Sequence, residues 1–138
     1  MAHKSAEAAL AHFFGYTSFR PAQEVPVASL LANKDVLAIM PTGAGKSICF
    51  QLDSYKVNAL DYLLTIVFSP LISLMQDQVD GLRMQKIPAA YLNSSQDKDE
   101  SINVMRALRA GRVKILYLAP ERLGSEWFRN FLKELPID

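Results

Sequence analysis

The stretch Met40-Pro41-Thr42-Gly43-Ala44-Gly45-Lys46-Ser47 decides how the rest of this chain is interpreted. It follows a short apolar run at 35–39 and leads into a run of helical character at 48–52. A glycine-containing turn between a strand and a helix, ending in Lys-Ser, is typical of a phosphate-binding P-loop. Its glycines allow backbone N–H groups to approach phosphate oxygens, and the helix N-terminus adds partial positive charge at the same place.

In a P-loop the two last residues carry most of the chemistry. Lys46 would reach the β and γ phosphates of a nucleotide, and Ser47 would bind Mg²⁺. The general pattern has glycine where this chain has Met40. The alternative is an ordinary glycine turn, and the neighbouring motifs must decide between the two.

Composition limits the classes of function. The 138 residues are half hydrophobic, which is enough for one globular domain. Fifteen basic residues against 14 acidic ones leave a net charge of +1, so any contact with nucleic acid must be local. No apolar run approaches the length of a membrane helix, and we expect no membrane partner. The single cysteine, Cys49, forms no internal disulfide and is predicted to pack in the core of a cytosolic protein.

Short apolar runs alternate with segments of helical length. The strand candidates are 36–40, 62–69, 89–92 and 113–119, and the helix candidates are 5–14, 21–32, 46–57, 73–86, 97–110 and 125–135. This alternation predicts βαβ units, and therefore an α/β fold with a parallel sheet flanked by helices. No linker or repeat separates domains, so one globular unit is expected.

Polar motifs follow the last three predicted strands. They are Ser69-Pro70-Leu71, Asn93-Ser94-Ser95 and Pro120-Glu121-Arg122. Ligands of parallel α/β sheets bind at the carboxyl ends of the strands, so these motifs are predicted to share one edge with the ligand.

The segment 14–23, upstream of the P-loop, combines Tyr16, Arg20 and Gln23. A glutamine amide can pair with the N6/N7 edge of adenine, and an aromatic or guanidinium plane can stack on the base. The residues alone favour an aromatic staple and a solvated polar pair beside a helix start.

Taken together, the segments 14–23, 40–51, 69–79, 92–95 and 118–123 resemble, in order and spacing, the RecQ family of superfamily 2 DNA helicases. The resemblance implies a RecA-like P-loop NTPase lobe. It also implies an ATP-dependent 3′-to-5′ helicase that couples ATP hydrolysis to DNA unwinding in repair and recombination. In this family Met40 is the ordinary residue of the loop.

The resemblance assigns residues to two sites. Those implied for ATP are Tyr16, Arg20, Gln23, Thr42, Gly43, Ala44, Gly45, Lys46 and Ser47. Gln23 reads the base, Lys46 and Ser47 are catalytic, and Ser47 binds Mg²⁺. Those implied for DNA are Ser69, Pro70, Ser73, Asn93, Ser94, Pro120, Glu121 and Arg122. Hydroxyls and backbone amides suit phosphates without reading sequence.

Two structural alternatives stay open. Ser73 could simply cap a helix whose buried face carries Leu74, Met75 and Val79. Trp127, Phe128 and Phe131 are predicted to form the core stripe of the last helix, with an exposed surface as the alternative.

The resemblance also implies what this chain does not contain. Residues 1–138 correspond to part of the helicase ATP-binding domain, the first RecA-like lobe, truncated before the strand with the DEAH box. The second lobe, the zinc-binding region and the winged helix are absent. We therefore expect the chain to need the remainder of the helicase for hydrolysis and unwinding, in the bacterial cytoplasm or the eukaryotic nucleus.

The alternative is a non-catalytic nucleotide or single-stranded DNA binding module. A small-molecule kinase is disfavoured because no arginine-rich lid is visible.

Overall fold

The computed structural model describes residues 6–41, 43–53 and 64–137. The chain divides into two compact units, Met1–Asp61 and Tyr62–Asp138, where the sequence predicted one. The first consists of helices and the second contains a sheet, and each has its own cluster of buried residues. Nothing in the composition of the chain marks this division, because it arises from which side chains pack together.

The described residues of the first unit form three helices: α1 (Ala6–Phe14), α2 (Pro21–Leu31) and α3 (Lys46–Asp53). Pro21 stands at the first turn of α2, where its missing N–H costs no hydrogen bond. The hydrophobic core cluster of this unit contains the buried residues Ala9, Leu10, Val27, Cys49 and Leu52. The core position predicted for Cys49 is confirmed, and burial raises the pKa of its thiol.

The strand predicted at 36–40 is wrong, because these residues form no strand. Leu37 and Ile39 are 89% and 90% exposed. An apolar run has strand propensity, but a strand exists only where a neighbouring strand completes its hydrogen-bond ladder. Residues 36–40 have no such ladder in the described part of the chain.

The second unit is built on three parallel strands, β1 (Thr65–Phe68), β2 (Ala89–Leu92) and β3 (Ile115–Leu118), in the order β1-β3-β2. Thr65 and Ala89 both lie opposite Ile115, and Phe68 and Leu92 both lie opposite Leu118. The strands therefore start and end level. The parallel sheet and three of its four predicted strands are confirmed.

Within 64–137, three further helices and one 3-10 helix accompany the sheet: α4 (Ile72–Met84), α5 (Lys98–Arg109), the 3-10 helix at Pro120–Gly124 and α6 (Glu126–Lys133). Every residue of the central strand β3 is buried, as expected for a strand covered on both faces. Leu116 and Leu118 pack in one cluster with Phe128 and Phe131 of α6.

The aromatic stripe predicted for α6 is only partly present. Phe128 and Phe131 are buried, whereas Trp127 is 60% exposed. Successive helical residues are rotated by about 100°, so Trp127 lies about a quarter turn from the centre of the buried face. The alternative given above, an exposed surface, is therefore correct for the ring of Trp127.

The start of α4 also differs from the prediction. Leu71 is the N-cap residue and Ser73 lies inside the first turn, so Ser73 does not cap the helix. The hydroxyl Oγ of Ser69 accepts a hydrogen bond from the N–H of Leu71, which turns the chain into the helix earlier. Met75 and Val79 are buried as predicted, but Leu74 is 46% exposed.

An isolated parallel bridge joins Leu64 to Ile137, and the Leu64 N–H donates to the carbonyl of Pro136 over 2.8 Å. The described helices are all too short or too polar to cross a lipid bilayer.

Candidate nucleotide and nucleic-acid sites

The P-loop has the backbone conformation that its glycines allow. Gly43 and Gly45 have φ angles of +83° and +82°, in the left-handed region that other residues rarely occupy. The N–H of Ala44 donates to the carbonyl of Pro41 over 3.1 Å, and α3 begins directly after the loop at Lys46. The loop thus places Lys46 and Ser47 in the first turn of a helix. Thr42, also predicted to bind ATP, lies outside the described residues.

Arg20 and Gln23 contact this loop directly. The Nη1 of Arg20 donates to the carbonyl of Gly43 over 2.5 Å, and the Nε2 of Gln23 donates to the carbonyl of Gly45 over 3.0 Å. Gln23 is 2% exposed. Two predicted ATP-binding segments that are more than 20 residues apart in sequence therefore meet in space.

The other end of the same amide holds the start of α2. The Oε1 of Gln23 accepts a hydrogen bond from the N–H of Arg20 over 2.9 Å, as the third helical residue does in a capping box. Gln23 thus caps the helix and contacts the loop at the same time. One side chain consequently joins the beginning of α2 to the P-loop.

These contacts orient the peptide groups of the loop. In a trans peptide the carbonyl and the following N–H point in opposite directions. Because Gln23 holds the carbonyl of Gly45, the N–H of Lys46 is directed away from Gln23 at the N-terminus of α3. Such an N–H is suited to a phosphate oxygen. Sequence reasoning assigned Gln23 to the base alone and did not predict this contact.

Gly45 is required for a second reason besides its backbone angle. A Cβ atom at this position would lie 2.3 Å from the Nε2 of Gln23. At Gly43 the same addition would meet nothing within 4 Å. The absence of a side chain at Gly45 is what permits the amide of Gln23 to reach the loop.

The remaining predicted ATP ligands lie at the surface of the same unit. Lys46 is exposed, Ser47 is partly buried, and the ring of Tyr16 is 53% exposed. No hydrogen bond among the described residues joins Tyr16 to the loop. No group of three His, Cys, Asp or Glu side chains gathers as a metal site in the described ranges. A single serine hydroxyl fits Mg²⁺ that is held mainly by nucleotide phosphates and water.

The residues predicted for DNA belong to the second unit and share one edge of its sheet. The N–H of Ser69 donates to the carbonyl of Leu118 over 3.2 Å, and the N–H of Ala119 donates to the carbonyl of Leu92 over 3.1 Å. These bonds align the segments that leave the three strands at their carboxyl ends. Pro70, Ser73, Ser94, Pro120 and Glu121 are exposed there.

Asn93 differs from its neighbours because its side chain is buried, with 2% exposure. Its Oδ1 accepts hydrogen bonds from the N–H and the hydroxyl of Ser95, over 2.9 and 2.5 Å. Its Nδ2 lies 3.5 Å from the sulfur of Met75 in α4. The side chain holds the loop after β2 in shape and ties it to α4. The DNA contact predicted for Asn93 stays a prediction, and this geometry gives the residue an internal role instead.

Arg122 places a cation at the same edge. Its guanidinium carbon lies 4.9 Å from the centre of the Phe128 ring. Its Nε is buried and makes no hydrogen bond to any described residue. A guanidinium stacked on an aromatic face keeps its charge while its position is restricted.

Comparison with known proteins gives matches along most of the chain. A family model described as DEAD/DEAH box helicase matches residues 20–137. The ATP-dependent DNA helicase RecQ of Synechocystis is 45% identical over 131 residues, 95% of this chain and 27% of the relative. That of Bacillus subtilis is 42% identical over 138 residues, 99% of this chain and 22% of the relative. The ATP-dependent DNA helicase hus2/rqh1 of Schizosaccharomyces pombe is 43% identical over 118 residues, 84% of this chain and 9% of the relative.

These matches confirm the resemblance that the motifs indicated. The chain spans about a quarter or less of the length of these relatives.

Proposed function

Because the chain belongs to the DEAD/DEAH box helicase family, we propose that it is the ATP-binding segment of an ATP-dependent 3′-to-5′ DNA helicase of the RecQ type. The observation that carries this proposal is the pair of hydrogen bonds from Arg20 and Gln23 to the carbonyls of the P-loop. An ordinary glycine turn would have no need of a buried glutamine and an arginine on its outer side.

We assign nucleotide binding to the first unit. The loop and the N-terminus of α3 hold the phosphates, and Lys46 neutralises the charge that develops on them. The hydroxyl of Ser47 holds Mg²⁺ together with the phosphates, and the metal supplies electrostatic stabilisation during phosphoryl transfer. Tyr16 and Arg20 flank the base.

Gln23 is assigned to the adenine edge. A glutamine amide has two N–H donors and an oxygen with two lone pairs. Its contacts to Gly45 and to Arg20 use one donor and one lone pair. The remaining donor and lone pair match the N6/N7 edge of adenine, so Gln23 can connect recognition of the base with the shape of the P-loop.

We assign DNA to the second unit, at the carboxyl edge of the sheet. Ser69, Ser73 and Ser94 offer hydroxyls and backbone amides to phosphates, and Arg122 offers a cation. Neither group reads sequence, which suits an enzyme that moves along DNA. Unwinding itself is proposed for the full-length enzyme, with single-stranded and duplex DNA as its partners. Its place is the cytoplasm of a bacterium or the nucleus of a eukaryote.

Replacement of Lys46 tests the nucleotide site. We expect Lys46→Ala to weaken binding of a fluorescent ATP analogue with Mg²⁺ by about 10-fold to 100-fold, the loss typical of a hydrogen bond to a charged group. Fluorescence anisotropy of the analogue measures the affinity of this chain directly.

Lys34→Ala is the matched control, since Lys34 is an exposed lysine of the same unit outside the loop. Its affinity should equal that of the unmodified chain. Equal affinities for all three proteins would contradict the assignment of the P-loop.

A further inference from the structure

A cleft of about 680 Å³ opens at the carboxyl edge of the sheet in the second unit. Its walls come from the beginning of α5, the 3-10 helix and the beginning of α6. The volume lies within the range of pockets that bind small molecules. Glu121, one of the residues predicted above to contact DNA, lines this cleft. Ser94, another of them, comes two residues before the lining residue Gln96.

Trp127 forms one wall of the cleft and is 60% exposed. Its ring is nearly parallel to that of Phe131, with an angle of 8° between the planes and 6.0 Å between the centres. The neighbouring ring limits the orientations that the indole can adopt. An exposed indole held in one orientation provides a flat surface on which another aromatic ring can stack.

The charges that line the cleft balance. Lys98 and Arg122 contribute two cations, and Asp97 and Glu121 contribute two carboxylates. A phosphate is not favoured in such a mixed environment, because the carboxylates repel it. Neutral rings with polar edges are favoured, since donors and acceptors surround an apolar surface formed by Ile102 and Met105.

A nucleobase is a ligand of this description. It is flat and uncharged, stacks on aromatic side chains, and carries donors and acceptors on its edge. The phosphates attached to it would remain outside the cleft, along the edge where Ser94 is exposed. We propose that the cleft receives a base of single-stranded DNA and that the base stacks on Trp127. This inference rests on the DNA contact proposed for the second unit.

The chain offers a direct test, because Trp127 is its only tryptophan. Fluorescence excited selectively at tryptophan, and not at the five tyrosines, therefore reports on this one ring. Titration with a single-stranded oligonucleotide should quench the fluorescence in parallel with binding. An oligonucleotide of equal length with abasic sites throughout should leave the fluorescence unchanged, because it presents phosphates without bases.

Variants measured by the anisotropy of a labelled oligonucleotide complete the test. Trp127→Ala should bind about tenfold more weakly, the effect of losing one stacked base, and Trp127→Phe should retain most of the affinity. Met84→Ala is the control, since Met84 is a large apolar residue that is 86% exposed and does not line the cleft. Circular dichroism checks that each variant is folded. If Trp127→Ala is unfolded, the affinity of Trp127→Phe and the quenching experiment still test whether a base stacks on Trp127.

The outcomes separate the inference from the function on which it rests. The cleft would be overturned as a base site if the oligonucleotide bound without quenching the fluorescence and if Trp127→Ala bound it as tightly as the unmodified chain. DNA binding by the second unit would then still stand. A chain that binds no oligonucleotide would overturn both. Fluorescence that depends on protein concentration without DNA would show that a second copy covers Trp127, and would also overturn the inference.

Discussion

Gln23 combines a helix-capping role, which the sequence suggested as one alternative, with a contact to the P-loop that the sequence did not suggest. A polar residue beside a helix start was one interpretation, and an adenine reader was the other. The side-chain oxygen of Gln23 accepts a hydrogen bond from the N–H of Arg20, and its side-chain nitrogen donates one to the carbonyl of Gly45. Helix capping and contact with the phosphate loop therefore occur together, because the two ends of an amide have opposite hydrogen-bonding character.

The contact between Gln23 and Gly45 predicts a difference between two glycines. Alanine at either Gly43 or Gly45 is strained by the positive φ angle. At Gly45 the new Cβ atom also displaces the Gln23 amide. We expect Gly45→Ala to lower the free energy of unfolding by about 1 kcal/mol more than Gly43→Ala, the value of one hydrogen bond. Urea denaturation followed by circular dichroism measures both.

The same substitutions in a Gln23→Ala background provide the control. The difference between the two glycines should disappear there, since the displaced amide is absent. A difference that persists without Gln23 would show that the contact is not its cause.

Among the elements, the ends of α5 followed local sequence closely. Asp97 begins α5 with a capping box, in which its Oδ1 accepts from the N–H of Glu100 over 2.8 Å and its own N–H donates to Oε2 of Glu100 over 3.1 Å. Gly111 follows the C-cap residue of the same helix with a φ angle of +70°. These interactions join residues three or four positions apart, so the sequence is sufficient to predict them.

The cap of α5 leads to a second prediction. Asp97→Ala should lower the free energy of unfolding by about 1 kcal/mol, because the N–H of Glu100 loses its acceptor. Asp99→Ala removes an acid from the same first turn without breaking the cap. It should change stability by less than about 0.5 kcal/mol. Denaturant unfolding measures both, and equal losses would show that charge near the helix start matters rather than the cap.

Strands depended on more distant partners. Residues 89–92 and 115–118 became neighbours in the sheet, while the equally apolar run at 36–40 did not become a strand. Propensity is a local property, but a ladder needs a second chain segment in register. The sequence could therefore identify candidates for strands without showing which of them would be paired.

At the scale of the whole molecule, each proposed site is formed within one unit. Arg20, Gln23 and the P-loop belong to Met1–Asp61, and Arg122 and Trp127 belong to Tyr62–Asp138. Each unit also has its own buried cluster. The residues proposed to bind nucleotide and those proposed to bind DNA are consequently separate sets.

We therefore expect the two binding activities to be lost independently in this chain. Lys46→Ala should weaken ATP binding and leave the affinity for a labelled oligonucleotide unchanged. Arg122→Ala should do the reverse, since it removes a cation from the DNA-binding edge only. Anisotropy with each labelled ligand measures both affinities. A folded variant with lower affinity for both ligands would contradict this independence.

The sequence by itself determined the ends of α5 and the positions of the parallel strands at 65–68, 89–92 and 115–118, because these depend on residue type, short spacing and apolar pattern. Only the tertiary structure decided that Gln23 reaches Gly45, that Asn93 is buried and that Trp127 is exposed. It also decided that 36–40 forms no strand. Burial and ladder pairing are set by partners distant in sequence, and no local pattern specifies which partners will meet.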